Sequence, residues 1–210
     1  MPRIVAISDT HGFYHDINIP DGDILVHAGD ITGQGTFECL EDFNEWLGAQ
    51  PHKHKIVIAG NHDWCFEWDN ALCRSILSNG LYLQDESAII EGIKFYGSPW
   101  QPAFFDWAFN LNRGKDLAEK WAMIPEDTEI LITHGPAYGI LDEVSDETRL
   151  LNVGCQDLFD AILRVKPKIH IFGHIHEGYG EIMQDDVHFV NASINTSRYR
   201  PTNPPIIIDY

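Results

Sequence analysis

Five short stretches place oxygen- and nitrogen-bearing side chains directly after apolar runs. They are Ser8-Asp9-Thr10-His11, Ala28-Gly29-Asp30, Gly60-Asn61-His62-Asp63, Thr133-His134-Gly135 and Gly173-His174-Ile175-His176. Asp9 and His11 are two residues apart, as are His174 and His176, so in extended backbone each pair projects to one side. Collected, Asp9, His11, Asp30, Asn61, His62, His134, His174 and His176 are carboxylate, amide and imidazole groups with no thiolate among them. Such donors suit borderline ions: manganese, iron, zinc or nickel. They are too many for one tetrahedral zinc, but they serve two metals that share a carboxylate. Two ions about 3.5–4 Å apart can hold a hydroxide and stabilise both oxygens of an in-line phosphoryl displacement. Taken singly, each stretch is ordinary turn chemistry. The signal lies in all five, each placed after a β-like run.

The elements that must carry these groups can be read from periodicity. Residues 3–7, 23–27, 55–59, 129–133 and 168–172 are β-branched runs that read as buried strands. Each ends where a polar cluster begins, the edge at which ligand crevices form in α/β sheets. Gly60 permits a tight turn and a close approach to whatever its neighbours hold. Helices are expected over 36–48, 66–78, 113–124 and 154–165, with Pro51, Pro125 and Pro167 as stops. Leu81–Leu83, Ala88–Ile90 and Ile93–Tyr96, separated by Asp85-Glu86 and Glu91-Gly92, read as antiparallel hairpins leading into an aromatic-rich loop through Trp107. Further strand-like runs stand at 187–190 and 206–208. There is no linker, repeat or low-complexity segment, so residues 1–210 are expected to form one domain with two packed sheets, outer helices and one site between them.

Composition narrows the function. The net charge of −18 argues against wrapping a nucleic acid polymer, since phosphate contacts need a basic surface. A small phosphate substrate is compatible with it, because two bound cations invert the field at the site itself. Cys39, Cys65, Cys73 and Cys155 form no CxxC pair and no zinc-finger spacing, and are read as reduced. No run approaches the roughly 18 apolar residues of a membrane span. Met1-Pro2-Arg3 leads straight into the first strand, so the expected location is cytoplasmic.

The ordered motifs Asp-x-His, Gly-Asp, Gly-Asn-His-Asp, His and Gly-His-x-His resemble the calcineurin-like metallophosphoesterase superfamily. Tyr96-Gly97-Ser98-Pro99-Trp100, His176-Glu177-Gly178-Tyr179-Gly180 and Pro201-Thr202-Asn203-Pro204-Pro205-Ile206 extend the resemblance to its metallophosphoesterase-domain-containing branch, related to class III cyclic nucleotide phosphodiesterases. The resemblance implies an α/β fold, a four-layer α/β/β/α sandwich of two mixed β-sheets flanked by helices. It implies one metal held by Asp9, His11 and His176, a second by Asn61, His134 and His174, and Asp30 bridging them, with manganese or iron favoured. Some vertebrate members of the branch carry glycine where this chain has His174, which weakens one metal site; this chain keeps the imidazole. His62 is then expected to stand over the site as charge stabiliser or proton donor to the leaving oxygen, and Asp63 to orient it.

The expected activity is hydrolysis of small phosphodiesters such as cyclic nucleotides, by in-line attack of a metal-bridging hydroxide. Alternatives are a phosphomonoesterase or protein phosphatase, and a catalytically weak nucleotide-binding scaffold. Phe13, Tyr14, Trp64, Trp100, Phe104, Phe105, Trp107, Tyr138 and Tyr179 are expected near the rim, some to stack a nucleobase. Trp100 is the first choice for contact with substrate, beside Asn61 and His62. The expected partner is a small phosphodiester or nucleotide substrate, with no nucleic acid polymer and no membrane; an oligomer is compatible with the chain.

Overall fold

In the computed structural model, residues 2–145 and 148–210 are described. Strands β1 (Arg3–Ile7), β2 (Ile24–Ala28), β3 (His54–Ile58) and β4 (Leu81–Tyr82) are parallel neighbours, and β15 (Ile206–Asp209) pairs antiparallel with β1. The second sheet has the order β13 (Gly180–Gln184), β14 (Val187–Asn191), β12 (Ile169–Phe172), β9 (Ile130–Thr133), β6 (Ile93–Ser98), β5 (Glu86–Ile90). Its four central strands are parallel, and the β13–β14 and β5–β6 hairpins close its two edges. Short pairs β7 (Gln101–Pro102) with β8 (Asn110–Leu111), and β10 (Glu143–Ser145) with β11 (Leu150–Asn152), lie outside both sheets.

Strand alternation generates the layers. Successive side chains of a strand face opposite ways. Along β1, Ile4 and Ala6 join a core between the sheets, together with Val26 of β2, Ile56 and Ile58 of β3, Ile130 and Ile132 of β9 and Ile171 of β12. Val5 and Ile7 face outward instead, against Leu40, Phe43 and Leu47 of α1 (Phe37–Ala49) and Cys73 of a later helix. On the other side, Leu131, Phe172 and Phe189 pack against Leu117 and Trp121 of one outer helix and Leu158 and Ile162 of another. The result is the four-layer α/β/β/α sandwich. Near-continuous apolar strands are what burial on both faces requires. Each fully buried side chain such as Phe43 or Leu117 contributes about 1.5–3 kcal/mol.

The helical segment expected over 66–78 is two helices, α2 (Cys65–Trp68) and α3 (Asn70–Ile76). Asp69 separates them, with extended φ of −150° and a side chain that accepts from Leu72 N as the cap of α3. The outer helices of the second sheet are α4 (Lys115–Trp121) and α5 (Gln156–Val165), shorter at both ends and at the start, respectively, than periodicity predicts. The hairpin reading holds for β5–β6 but not for residues 81–83. Those residues add β4 to the parallel edge of the first sheet, so the chain changes sheet between Tyr82 and Glu86. The four cysteines are free, and Cys65, Cys73 and Cys155 are buried.

Candidate metal centre

The carboxyl ends of β1, β2 and β3 meet those of β9, β12 and β14 across the seam between the sheets. Backbone bonds tie the seam: Ser8 N donates to Ala192 O at 2.8 Å, and Ile194 N to Ser8 O at 2.9 Å. An imidazole ties it again, since His134 Nδ1–H, carried by the second sheet, donates to Ala28 O of the first at 3.0 Å. Close approach needs glycine here. A Cβ on Gly60 would overlap the Asp30 carboxylate and stand 2.6 Å from His134 Cε1, and one on Gly173 would collide with Asp9 Oδ2 and Ser8 Oγ.

Asp9, His11 and His176 each present a ligand atom within 4.8 Å of one another, and so do Asp30, His134 and His174. Asp30 faces both groups, with Oδ2 3.7 Å from His11 Nε2 and Oδ1 3.4 Å from His134 Nε2. Asn61 Oδ1 lies 3.0 Å from His134 Nε2, which places the amide in the second group. His62 forms a third group with His11 and Asp30. Each residue of the expected ligand set is thus brought to one place.

The convergence strains the backbone. Asp9, His11, Asp30 and His174 all have left-handed backbone, with φ of 53°, 45°, 53° and 68°. Such conformations cost of order 1–3 kcal/mol each and persist where surrounding structure over-determines them. At Asp9 the surroundings are explicit. Its carboxylate accepts from Ser193 Oγ at 2.7 Å and from His174 N at 2.9 Å, and its carbonyl accepts from Asn195 Nδ2 at 2.8 Å. Asp30 Oδ1 accepts from His62 N at 2.8 Å.

Electrostatics follow from burial and crowding. Burial alone would raise the pKa of Asp9 and of Asp30, but the imidazoles of His176, His134 and His11 around Asp9, and of His134, His11 and His62 around Asp30, hold both below the usual carboxylate range. Burial opposes charge on His134, yet Asp30 and Asp9 outweigh it and raise the pKa to about 9. Burial dominates at His174, pushing its pKa down to about 4. At His176, as at His134, Nδ1–H donates to a backbone carbonyl, here Thr196 O at 3.1 Å, which turns the Nε2 lone pair inward.

The donor set fits cations. Two carboxylates, one amide oxygen and inward imidazole nitrogens face one another, with His11 Nε2 and His176 Nε2 only 3.3 Å apart. Among the described residues, buried His11 Nδ1 has no hydrogen-bond partner. These oxygen and imidazole donors are the types that divalent cations take, and each group could hold one.

The expectations for neighbouring residues fare unevenly. Among the described residues, Asp63 is hydrogen-bonded through its carboxylate to other groups than the His62 ring. Its fully buried carboxylate accepts from Gly60 N, Ile31 N, Thr32 N and Thr32 Oγ1 at 2.8–3.1 Å, pinning the loop after β2 to the loop after β3. Burial, reinforced by the charge on Asp30, raises its pKa to about 6. His62 is oriented instead by Gly33 O, which accepts from Nδ1–H at 3.0 Å, and by Trp107, stacked on the ring at 4.2 Å. Trp100 stands away from the cleft. Its Nε1 donates to Asp85, Lys120 Nζ lies 4.3 Å over its ring, and it packs edge-on against Phe109. Phe104, Phe105 and Trp107 do line the cleft, a cavity of about 370 Å³ over the metal groups. Tyr199, Glu177 and Ser197, which sequence reasoning missed, line it too. Ser193 and Asn195 follow β14 with the same two-residue spacing as the other strand ends, and that was the signal available for them.

Strand ends that gather two histidine–carboxylate groups around a shared aspartate, at the seam of a double-sheet sandwich, define a dinuclear phosphoesterase architecture. The model of the family described as calcineurin-like phosphoesterase matches residues 2–178, and the chain belongs to that family. Metallophosphoesterase domain-containing protein 1 of Homo sapiens is 45% identical over 233 residues, covering 99% of this chain and 70% of that protein. A 3',5'-cyclic-nucleotide phosphodiesterase of Nostoc sp. is 24% identical over 204 residues, covering 90% of this chain and 71% of that one. The crystal structure of a Thermus thermophilus protein, TT1561, shares the fold, with a TM-score of 0.63 at 14% identity over 90% of this chain and 88% of that one. The family is dimetal-dependent, and its members hydrolyse phosphoric esters.

Proposed function

We propose that the protein is a phosphodiesterase acting on small diesters such as cyclic nucleotides, in the cytoplasm, with manganese or iron as the favoured ions. The observation that carries this reading is the sharing of Asp30 between two three-residue ligand groups. Asp9, His11 and His176 would hold one ion and Asn61, His134 and His174 the other, with Asp30 facing both groups. Cations held there would supply Lewis-acid charge for a phosphoryl oxygen and would lower the pKa of a water. The chain's own groups do the rest. Asn61 contributes a neutral ligand and so adds no negative charge beside an anionic ester. His62, fixed by Gly33 O and Trp107, offers Nε2 to the ester oxygens to neutralise developing charge or deliver a proton. Asp63 acts as a positioning residue: it locks the two loops that carry Asp30 and His62. The likeness to the Nostoc phosphodiesterase supports diester over monoester substrates.

The reading is tested by metal analysis and a panel of mono- and diesters with added manganese. Two equivalents of metal, and a kcat/KM for bis(p-nitrophenyl) phosphate at least about tenfold above that for p-nitrophenyl phosphate, are expected. A monoester preference overturns the diesterase assignment, and failure to bind metal at any concentration overturns the enzyme.

A further inference from the structure

A second cavity, of about 390 Å³, opens beside the metal cleft, and Phe104, His174 and Glu177 line both. Its other walls include Pro102, Pro136, Val153 and Ile175, so it is apolar where the metal cleft is polar. Its size falls within the range of about 300–1,000 Å³ typical of small-molecule sites, which are apolar enclosures with a few placed polar groups. The walls are held rigidly. Arg113 donates through Nη1 to Gly154 O at 2.7 Å and through Nη2 to Val153 O at 2.6 Å, and the buried Asp142 carboxylate accepts from Gly139 N and Gly154 N. Arg113 is therefore spent on structure. Glu177, at the boundary of the two cavities, is an acceptor suited to N–H and O–H groups.

Resting on the phosphoesterase reading, we propose that this cavity seats the nucleobase of the substrate, entering past His174, with Phe104 as its stacking face and Glu177 accepting from the sugar or the base. The phosphate of such a ligand lies at the metal centre, and the base is the one part of it that needs apolar walls. Phe104 carries the Phe105 ring tilted against it at 4.4 Å yet remains 54% exposed, so ring surface is left open for a base to stack on.

The test measures equilibrium binding of adenosine 5′-monophosphate, ribose 5-phosphate and inorganic phosphate to the manganese-loaded protein by calorimetry. The native chain is expected to bind the nucleotide about tenfold or more tightly than ribose 5-phosphate, the advantage of one stacked base. Ala103→Trp, at an exposed position on the cavity wall, and Val153→Phe each fill the cavity. Both are expected to abolish that advantage while inorganic phosphate binds as to the native chain. Equal affinity of the native chain for nucleotide and sugar phosphate overturns the proposal. So does an advantage that survives both fillings, which places the base elsewhere, against Trp107 and Phe105. If no phosphate ligand binds the metal-loaded protein at all, it is the phosphoesterase reading that fails, and the proposal with it.

Discussion

At the scale of single residues, the site separates groups proposed to hold cations from groups that hold those groups in place. His62 belongs to neither set alone, since it reaches His11 and Asp30 but is oriented from outside them. His62→Ala is expected to keep two equivalents of metal and lose about 10²–10⁴ in kcat, the worth of one general acid; full turnover with both metals would remove it from the chemistry. Asp63 makes the opposite prediction. Four donors converge on its buried carboxylate, so Asp63→Ala leaves them unsatisfied and is expected to cost about 3 kcal/mol or more in urea denaturation. Trp107→Ala should lower kcat without changing that stability much, and Trp107→Phe should restore most of it. The side chains that converge at the strand ends were legible in the sequence because metal coordination would restrict residue type there. The partners of Asp63, Trp100 and Tyr199 were not, because a carboxylate or an aromatic ring serves packing and chemistry equally well, and only tertiary contacts decide between them.

At the scale of elements, the strands were legible and their sheet membership was not. Apolar runs of four or five residues identify buried strands, but nothing in Leu81-Tyr82 says that it extends the first sheet while Glu86–Ile90 begins the second. Strand alternation also hides a titration. His170 of β12 faces the outer layer, fully buried between Phe172 and Phe189, with Thr133 Oγ1 at 2.7 Å from Nε2. Burial pushes its folded pKa down to about 3, below the 6.5 of an exposed histidine, so the unfolded chain takes up the proton first. Stability contributed by the neutral ring is therefore complete above pH 6.5 and is lost as pH falls towards 3, by up to about a factor of ten in the folding equilibrium per pH unit. His170→Gln is expected to flatten the fall in urea midpoint between about pH 7 and about pH 5 relative to the native chain. Identical slopes for the two proteins would show that His170 takes no part.

For the whole molecule, the net charge of −18 and the metal centre act against each other. Cations bound by the native site and not by the unfolded chain would link folding to metal binding. Free metal at about 100 times its dissociation constant is expected to stabilise the native state by about 2.7 kcal/mol for each site. For a chain of this length, a chelator should then lower Tm by roughly 5–20 °C. A chelated protein that melts with the native one would mean that the site carries no cation in the folded state. No helix among the described residues is long and apolar enough to cross a membrane.

The strand β1, which delivers Asp9 and His11, is flanked in its sheet by β2 and by β15. Of the strands in this sheet, the one translated earliest thus waits for the one translated latest before its outer edge is paired. The first candidate ligand group is also spread along the message, since His11 and His176 are 165 residues apart. On the proposed ligand set, that group is incomplete in a growing chain until His176 has been made, so metal capture there belongs late in synthesis rather than among its first steps.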